Sequence, residues 1–150
     1  MTNPSGFELG SDGTAPLVVG VDGSGTSWRA LYYAFGIARR QNATVLAVFA
    51  VSSPIALDDD ELMACATTQA NDQLADELRL TIQTLAADYR VRTTFVSLVG
   101  DPVGTLIRIA DEQRADALII GASQAFIHRV LPSKAVRAVR RCRCPVIVVP

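Results

Sequence analysis

From Leu17 onward the chain alternates between short apolar runs and longer stretches with an apolar residue at every third or fourth position. Four of the runs are continuous: Leu17 to Val21, Thr44 to Val51, Ala117 to Ile120 and Pro145 to Val149. A strand with one wet face would alternate apolar and polar residues, so this continuity predicts strands buried on both faces of a parallel sheet. A fifth run, Arg92 to Leu98, alternates more and is expected nearer a sheet edge. Helical periodicity fills the gaps. Leu31, Ala34, Phe35 and Ala38 form a stripe behind the cap candidates Ser24, Thr26 and Ser27. Leu74, Leu78, Ile82 and Leu85 form another within a segment from about Asp60 to Asp88. Leu106, Ile107 and Ala110 follow Pro102, which suits the first turn of a helix capped by Asp101. Ala135, Ala138, Val139 and Cys142 line one face behind Ser133, with Lys134, Arg137 and Arg141 on the other.

The resulting order, β-α-β-α-β-α-β-α-β, predicts an α/β fold: a single-domain, open, five-stranded parallel sheet with helices on both faces and right-handed crossovers. Ligands of such sheets bind beyond the carboxyl ends of the strands, where the strand order reverses. Attention therefore falls on Asp22-Gly23-Ser24 after the first strand and on Gly121 onward after the fourth. Residues 1–15, rich in Gly, Ser, Thr and Asp, are expected to be a flexible tail, and 16–150 the domain.

Composition narrows the class. With 150 residues, 49% apolar and 19% charged, the chain can bury one sizeable core. No run approaches the roughly 18 apolar residues of a membrane span, and the first fifteen residues lack the basic and apolar regions of a secretory signal. A cytoplasmic protein without a membrane partner is expected. The net charge of −1 gives no general attraction to nucleic acid. Charge is nonetheless uneven: Ala117 to Pro150 carries six bases and no acid, leaving eight bases against fifteen acids elsewhere. No aromatic platform interleaves those bases, so nucleic-acid binding is not expected.

Catalytic constellations are scarce. The single histidine, His128, would have to serve any Ser-His or Cys-His site, and no G-x-S-x-G elbow is present. Cys142-x-Cys144 lacks the spacing and second ligand pair of a zinc site, and three cysteines do not make a disulfide framework. Cys65 and Cys142 read as packing residues, while the response of Cys142 and Cys144 to oxidants depends on exposure. The run Asp58-Asp59-Asp60-Glu61 suits a helix N-terminus better than a cation site. No G-x-x-x-x-G-K-[ST] loop occurs. Gly23-Ser24-Gly25-Thr26-Ser27-Trp28 begins like a dinucleotide fingerprint but has Trp28 at the third glycine, and no acid follows about 20 residues on.

The stretch from Leu17 to Leu31 resembles the opening of the universal stress protein family: a strand, an Asp and a Ser-rich entry to the first helix. Gly100-Asp101-Pro102 resembles the family's turn into its third helix, Ala115 to Gly121 its fourth strand, and Cys144 to Val149 its last strand. The resemblance implies strand order 3-2-1-4-5 and a homodimer through the C-terminal strand. Family members that bind ATP carry G-x-x-G, nine residues, then G-[ST], where glycines admit phosphates to backbone N–H groups at a helix N-terminus. Here Gly121 is kept, Gln124 replaces the second glycine, Pro132 replaces the third, and the loop from Ala125 to Leu131 is seven residues long. Asp22, Val51 and Ser133 match family nucleotide positions, and Gln124, Lys134 and Arg129 could supply side-chain donors. Asp22, Val51, Gly121, Gln124, Ser133 and Lys134 are the resulting cofactor-site candidates, with neither a catalytic nor a metal site expected. The implied function is a non-catalytic stress-response or regulatory dimer with lost or weakened ATP binding and unidentified protein partners. No cofactor is expected. The alternative is an adenine-nucleotide sensor for ATP or AMP with an atypical phosphate loop. An ATP pyrophosphatase would need S-G-G-x-D-S, and Asp22 to Ser27 lacks its second acid.

Overall fold

The computed structural model describes residues 15–52, 61–122 and 134–150. Nine elements follow in strict alternation: β1 (Leu17–Gly20), α1 (Gly25–Gln41), β2 (Val45–Val51), α2 (Glu61–Tyr89), β3 (Thr93–Val99), α3 (Pro102–Glu112), β4 (Ala117–Gly121), α4 (Lys134–Arg141) and β5 (Val146–Val149). The strands form one parallel sheet in the order β3-β2-β1-β4-β5. β1 sits at the centre, with Val18 paired to Leu46 on one side and to Leu118 on the other. The alternating run is β3, and it lies at an edge as its pattern requires.

Continuous apolar strands divide their side chains between the two faces because successive residues point opposite ways. Leu17, Val19, Val45, Ala47, Phe49 and Ile119 pack with the α1 stripe and with Leu78 and Ile82 of α2. Val18, Val48, Leu118 and Ile120 pack with Val103, Leu106 and Ile109 of α3 and with Ala135 and Ala138 of α4. Both faces therefore carry a core, which is why neither could be polar in sequence.

Local chemistry ends the helices where expected. Ser24 caps α1, its side chain accepting from the backbone N–H of Ser27, and Asn42 closes the other end in a left-handed conformation. Asp101 caps α3, accepting from Gly104 N–H, with Pro102 in the first turn. Two expectations need correction. Val139 is 58% exposed, because α4 has only eight residues and lies at the β5 end of the sheet, so nothing among the described residues covers that flank. Cys65 is exposed, on a stretch of α2 (residues 65–70) whose side chains all face solvent. No helix among the described residues is long and apolar enough to cross a membrane.

Candidate functional site

Between β1 and β4 the sheet's chain order reverses, and a cleft of about 340 Å³ opens there at the carboxyl ends of the strands. Its floor is apolar: Val48, Ala50, Leu118 and Ile120 from the sheet, Val103 and Leu106 from α3, and Ala138 from α4. Its rim is polar: Asp22, Ser24, Thr26 and Ser27 where β1 passes into α1. A concave apolar site with a few fixed polar groups on one side suits a flat organic ring with hydrogen-bonding edges.

The rim is built by short-range hydrogen bonds. Gly23 turns the chain through a φ of +82°, a left-handed conformation that favours glycine. Asp22 Oδ1 then accepts from Ser24 N–H at 2.9 Å, which fixes the carboxylate at the cleft mouth. Ser27 Oγ donates to Ser24 C=O at 2.9 Å and accepts from Asp22 N–H at 3.3 Å, and Ser27 is 4% exposed. The Ser-rich entry thus serves two purposes, capping α1 and holding Asp22 in place.

Gly121 has a plain steric cause. A Cβ there would lie 2.5 Å from the Thr26 carbonyl carbon and 2.8 Å from Ser27 N, both backbone atoms of the first turn of α1. Retention of this glycine therefore reflects the close crossing of β4 and α1, whatever lies beyond it.

Beside the cleft-lining Pro102 and Ala138, Arg137 of α4 grips Asp101 at the start of α3 with both terminal guanidinium nitrogens, one at 3.1 Å. The Arg137 hydrogen bond, with the Gly104 amide, holds the Asp101 carboxyl below its usual range. This pair ties the two helices that cover the cleft.

Of the six candidates, Asp22 and Gly121 line the cleft. Val51 does not: its side chain packs with the α1 and α2 core on the opposite face, and its C=O accepts from Gly100 N–H at 2.8 Å. Lys134 is the first residue of α4, while Gln124 and Ser133 lie outside the described residues, as do His128, Arg129 and Pro132. Sequence reasoning missed Ala50, Leu106, Ile120 and Ala138 as the floor; the period-2 phase that puts Val48 and Ala50 on one face would have found the strand members.

A family model described as the universal stress protein family matches residues 14–150. The chain belongs to that family. A universal stress protein of Methanocaldococcus jannaschii is 26% identical over 137 residues, which are 89% of this chain and 80% of the relative. A solved universal stress protein in complex with cAMP is 27% identical, covers 91% of this chain and 97% of its own, and superposes with a TM-score of 0.71. The universal stress protein of Archaeoglobus fulgidus in complex with dAMP shares the fold at 23% identity and a TM-score of 0.68, covering 91% of this chain and 98% of its own.

Proposed function

We propose that this universal stress protein is a non-catalytic regulatory protein that holds an adenosine nucleotide with few phosphates in the cleft, and grips ATP weakly. The apolar-floored cleft with the Asp22 carboxylate fixed at its mouth carries the reading. A purine ring would rest on Val48, Ala50 and Ile120, and Asp22 would accept from the exocyclic amine. Phosphate would lie toward the start of α4, where a helix N-terminus favours negative charge. Gln124 and Pro132 stand where two cradle glycines would be, and proline has no N–H to donate, which disfavours a long phosphate chain. At about 340 Å³ the cleft is at the small end of ligand sites. Solved relatives are in complex with cAMP and with dAMP, nucleotides that carry a single phosphate.

The same proposal includes a homodimer through β5, an edge strand whose Val148 is 37% exposed. Val148→Arg should then convert a dimer to monomer in sedimentation, and a dimer that persists would remove β5 from the interface.

Thermal unfolding with AMP, cAMP and ATP, with and without Mg²⁺, tests the ligand. A nucleotide at 100 times its Kd adds about 2.7 kcal/mol, which for a chain of this length raises Tm by roughly 5–10 °C. AMP or cAMP should shift Tm at lower concentration than ATP, and Asp22→Ala should abolish the shift while leaving the fold intact, with only a small loss of ligand-free Tm from the Ser24 hydrogen bond. Tightest binding by ATP would show an intact phosphate grip. No shift at millimolar nucleotide would leave a ligand-free dimer.

A further inference from the structure

Cys142 and Cys144 lie where α4 ends and β5 begins, and their sulfurs are 3.3 Å apart. The contact follows from the chain path. Helix α4 stops at Arg141, and Cys142 N–H still bonds to Ala138 C=O at 2.8 Å, closing the last turn. A bend at residues 143 and 144 then turns the chain into β5. Both cysteines thereby fall on the inner side, half-buried against the α3/α4 core, while Arg143 between them and Pro145 after them are exposed. Within that core the pair stands apart from the cleft floor, whose residues include neither sulfur.

We propose that Cys142 and Cys144 are a dithiol site that hydrogen peroxide oxidises to an intramolecular disulfide, stapling the end of α4 to the start of β5. The sulfurs must close by about 1.2 Å to reach a bond of about 2.05 Å. Burial and the neighbouring Cys142 push the Cys144 thiol up to about 12, which suits Cys144 to the second, resolving step. The Cys142 thiolate attacks one peroxide oxygen, the O–O bond breaks, and the departing hydroxide takes up a proton as water. The Cys144 sulfur then attacks the resulting sulfenic acid. The S–S bond forms as the S–O bond breaks, and the hydroxyl leaves as a second water with the Cys144 proton. Two thiols lose two electrons in all, and one peroxide is reduced to two waters. Among the described residues no third His, Cys, Asp or Glu joins the pair to form a metal-binding group. A ring closed across a single residue is reopened readily by a dithiol.

Arg141 and Arg143 make the test direct, because trypsin cuts after both. The full chain is treated with hydrogen peroxide, its unreacted thiols are alkylated, and the monomer band from a non-reducing gel is digested. The Cys142-Arg143 dipeptide and the peptide from Cys144 to Pro150 should emerge joined, two hydrogens lighter than their sum. The intact chain should lose alkylation at two of its three cysteines. Dithiothreitol should restore both sites, Cys65→Ser should change nothing, and Cys142→Ser or Cys144→Ser should abolish the joined peptide. Three results would each overturn the proposal: both thiols still alkylatable after peroxide, sulfinic or sulfonic acids without a joined peptide, or links found only in the dimer band.

Discussion

Helices α1 and α2, 17 and 29 residues long, close one face of the sheet, whereas α3 and α4, 11 and 8 residues long, cover the other and leave the cleft. The strands treat both faces alike, since Val45, Ala47 and Phe49 point one way and Leu46, Val48 and Ala50 the other. What differs is the length of helix laid over them. On the closed face Leu31, Phe35 and Ile82 are each no more than 1% exposed. On the open face Leu106 and Ile120 keep 9% and 8%, and both border the cleft. Among the described residues, apolar sheet with less helix above it forms the floor of the cleft, so one face is sealed and the other keeps a concave apolar surface.

Truncation should separate the two faces most strongly. Phe35→Ala leaves a sealed cavity and should cost about 3–5 kcal/mol, lowering Tm by roughly 10 °C. Leu106→Ala removes a wall that already meets open space, so it should cost about 2 kcal/mol, the low end for such a change. Urea midpoints of the two variants measure the contrast, and equal losses would mean that the α3 side is sealed as tightly as the other.

Gly121 is where the two faces are joined, because β4 crosses the first turn of α1 there. Gly121→Ala puts a Cβ within 2.8 Å of three backbone atoms, none of which can rotate away. The first turn of α1 must shift, and overpacking of this kind costs about 1–3 kcal/mol. Ser27 sits on that turn and the Ser24 cap and Asp22 are hydrogen-bonded to it in the preceding loop, so any nucleotide affinity should fall along with stability. A variant as stable as the parent in urea would mean that α1 can retreat from β4 without loss.

How much of this was legible depends on the range of the interactions. Continuous apolar runs gave away the parallel strands, and the alternation of Arg92 to Leu98 put β3 at an edge, because burial of a strand's faces is a property of its own residues. The order β3-β2-β1-β4-β5 came from family resemblance, since periodicity says nothing about which strand pairs with which. Asp22 and Gly121 were legible as cleft residues by their place after β1 and β4. Val51 is one residue out of phase with Ala50, so its side chain joins the α1 side, a difference of phase that the strand's period of two contains. Val139 sits one residue after the buried Ala138 and looked like core, but whether a flank is covered depends on neighbours in space. The sulfur contact could not be read from C-x-C alone, because it depends on α4 ending at Arg141 and the chain bending at Arg143.

The smallest expected effect concerns the ion pair that holds the two short helices of the open face together. Asp101 both caps α3 and pairs with Arg137 of α4, and both side chains are partly exposed, at 49% and 39%. Asp101→Ala loses cap and pair together and should cost about 1 kcal/mol or somewhat more. Asp101→Asn keeps a capping oxygen and loses only the charge, so its cost should be about 0.2–1 kcal/mol. The sign with pH follows from the lowered folded-state pKa. The stabilisation from this carboxylate is fully present above the unfolded value of about 3.9 and is lost as pH falls through the lower folded value. Wild type and Asp101→Asn should therefore differ in urea midpoint by a constant amount from pH 7 to about pH 5, and the gap should shrink progressively as pH falls below about 4. A gap that stayed the same size as pH fell below about 4 would mean that the charge bridging α3 and α4 contributes nothing to holding the open face together.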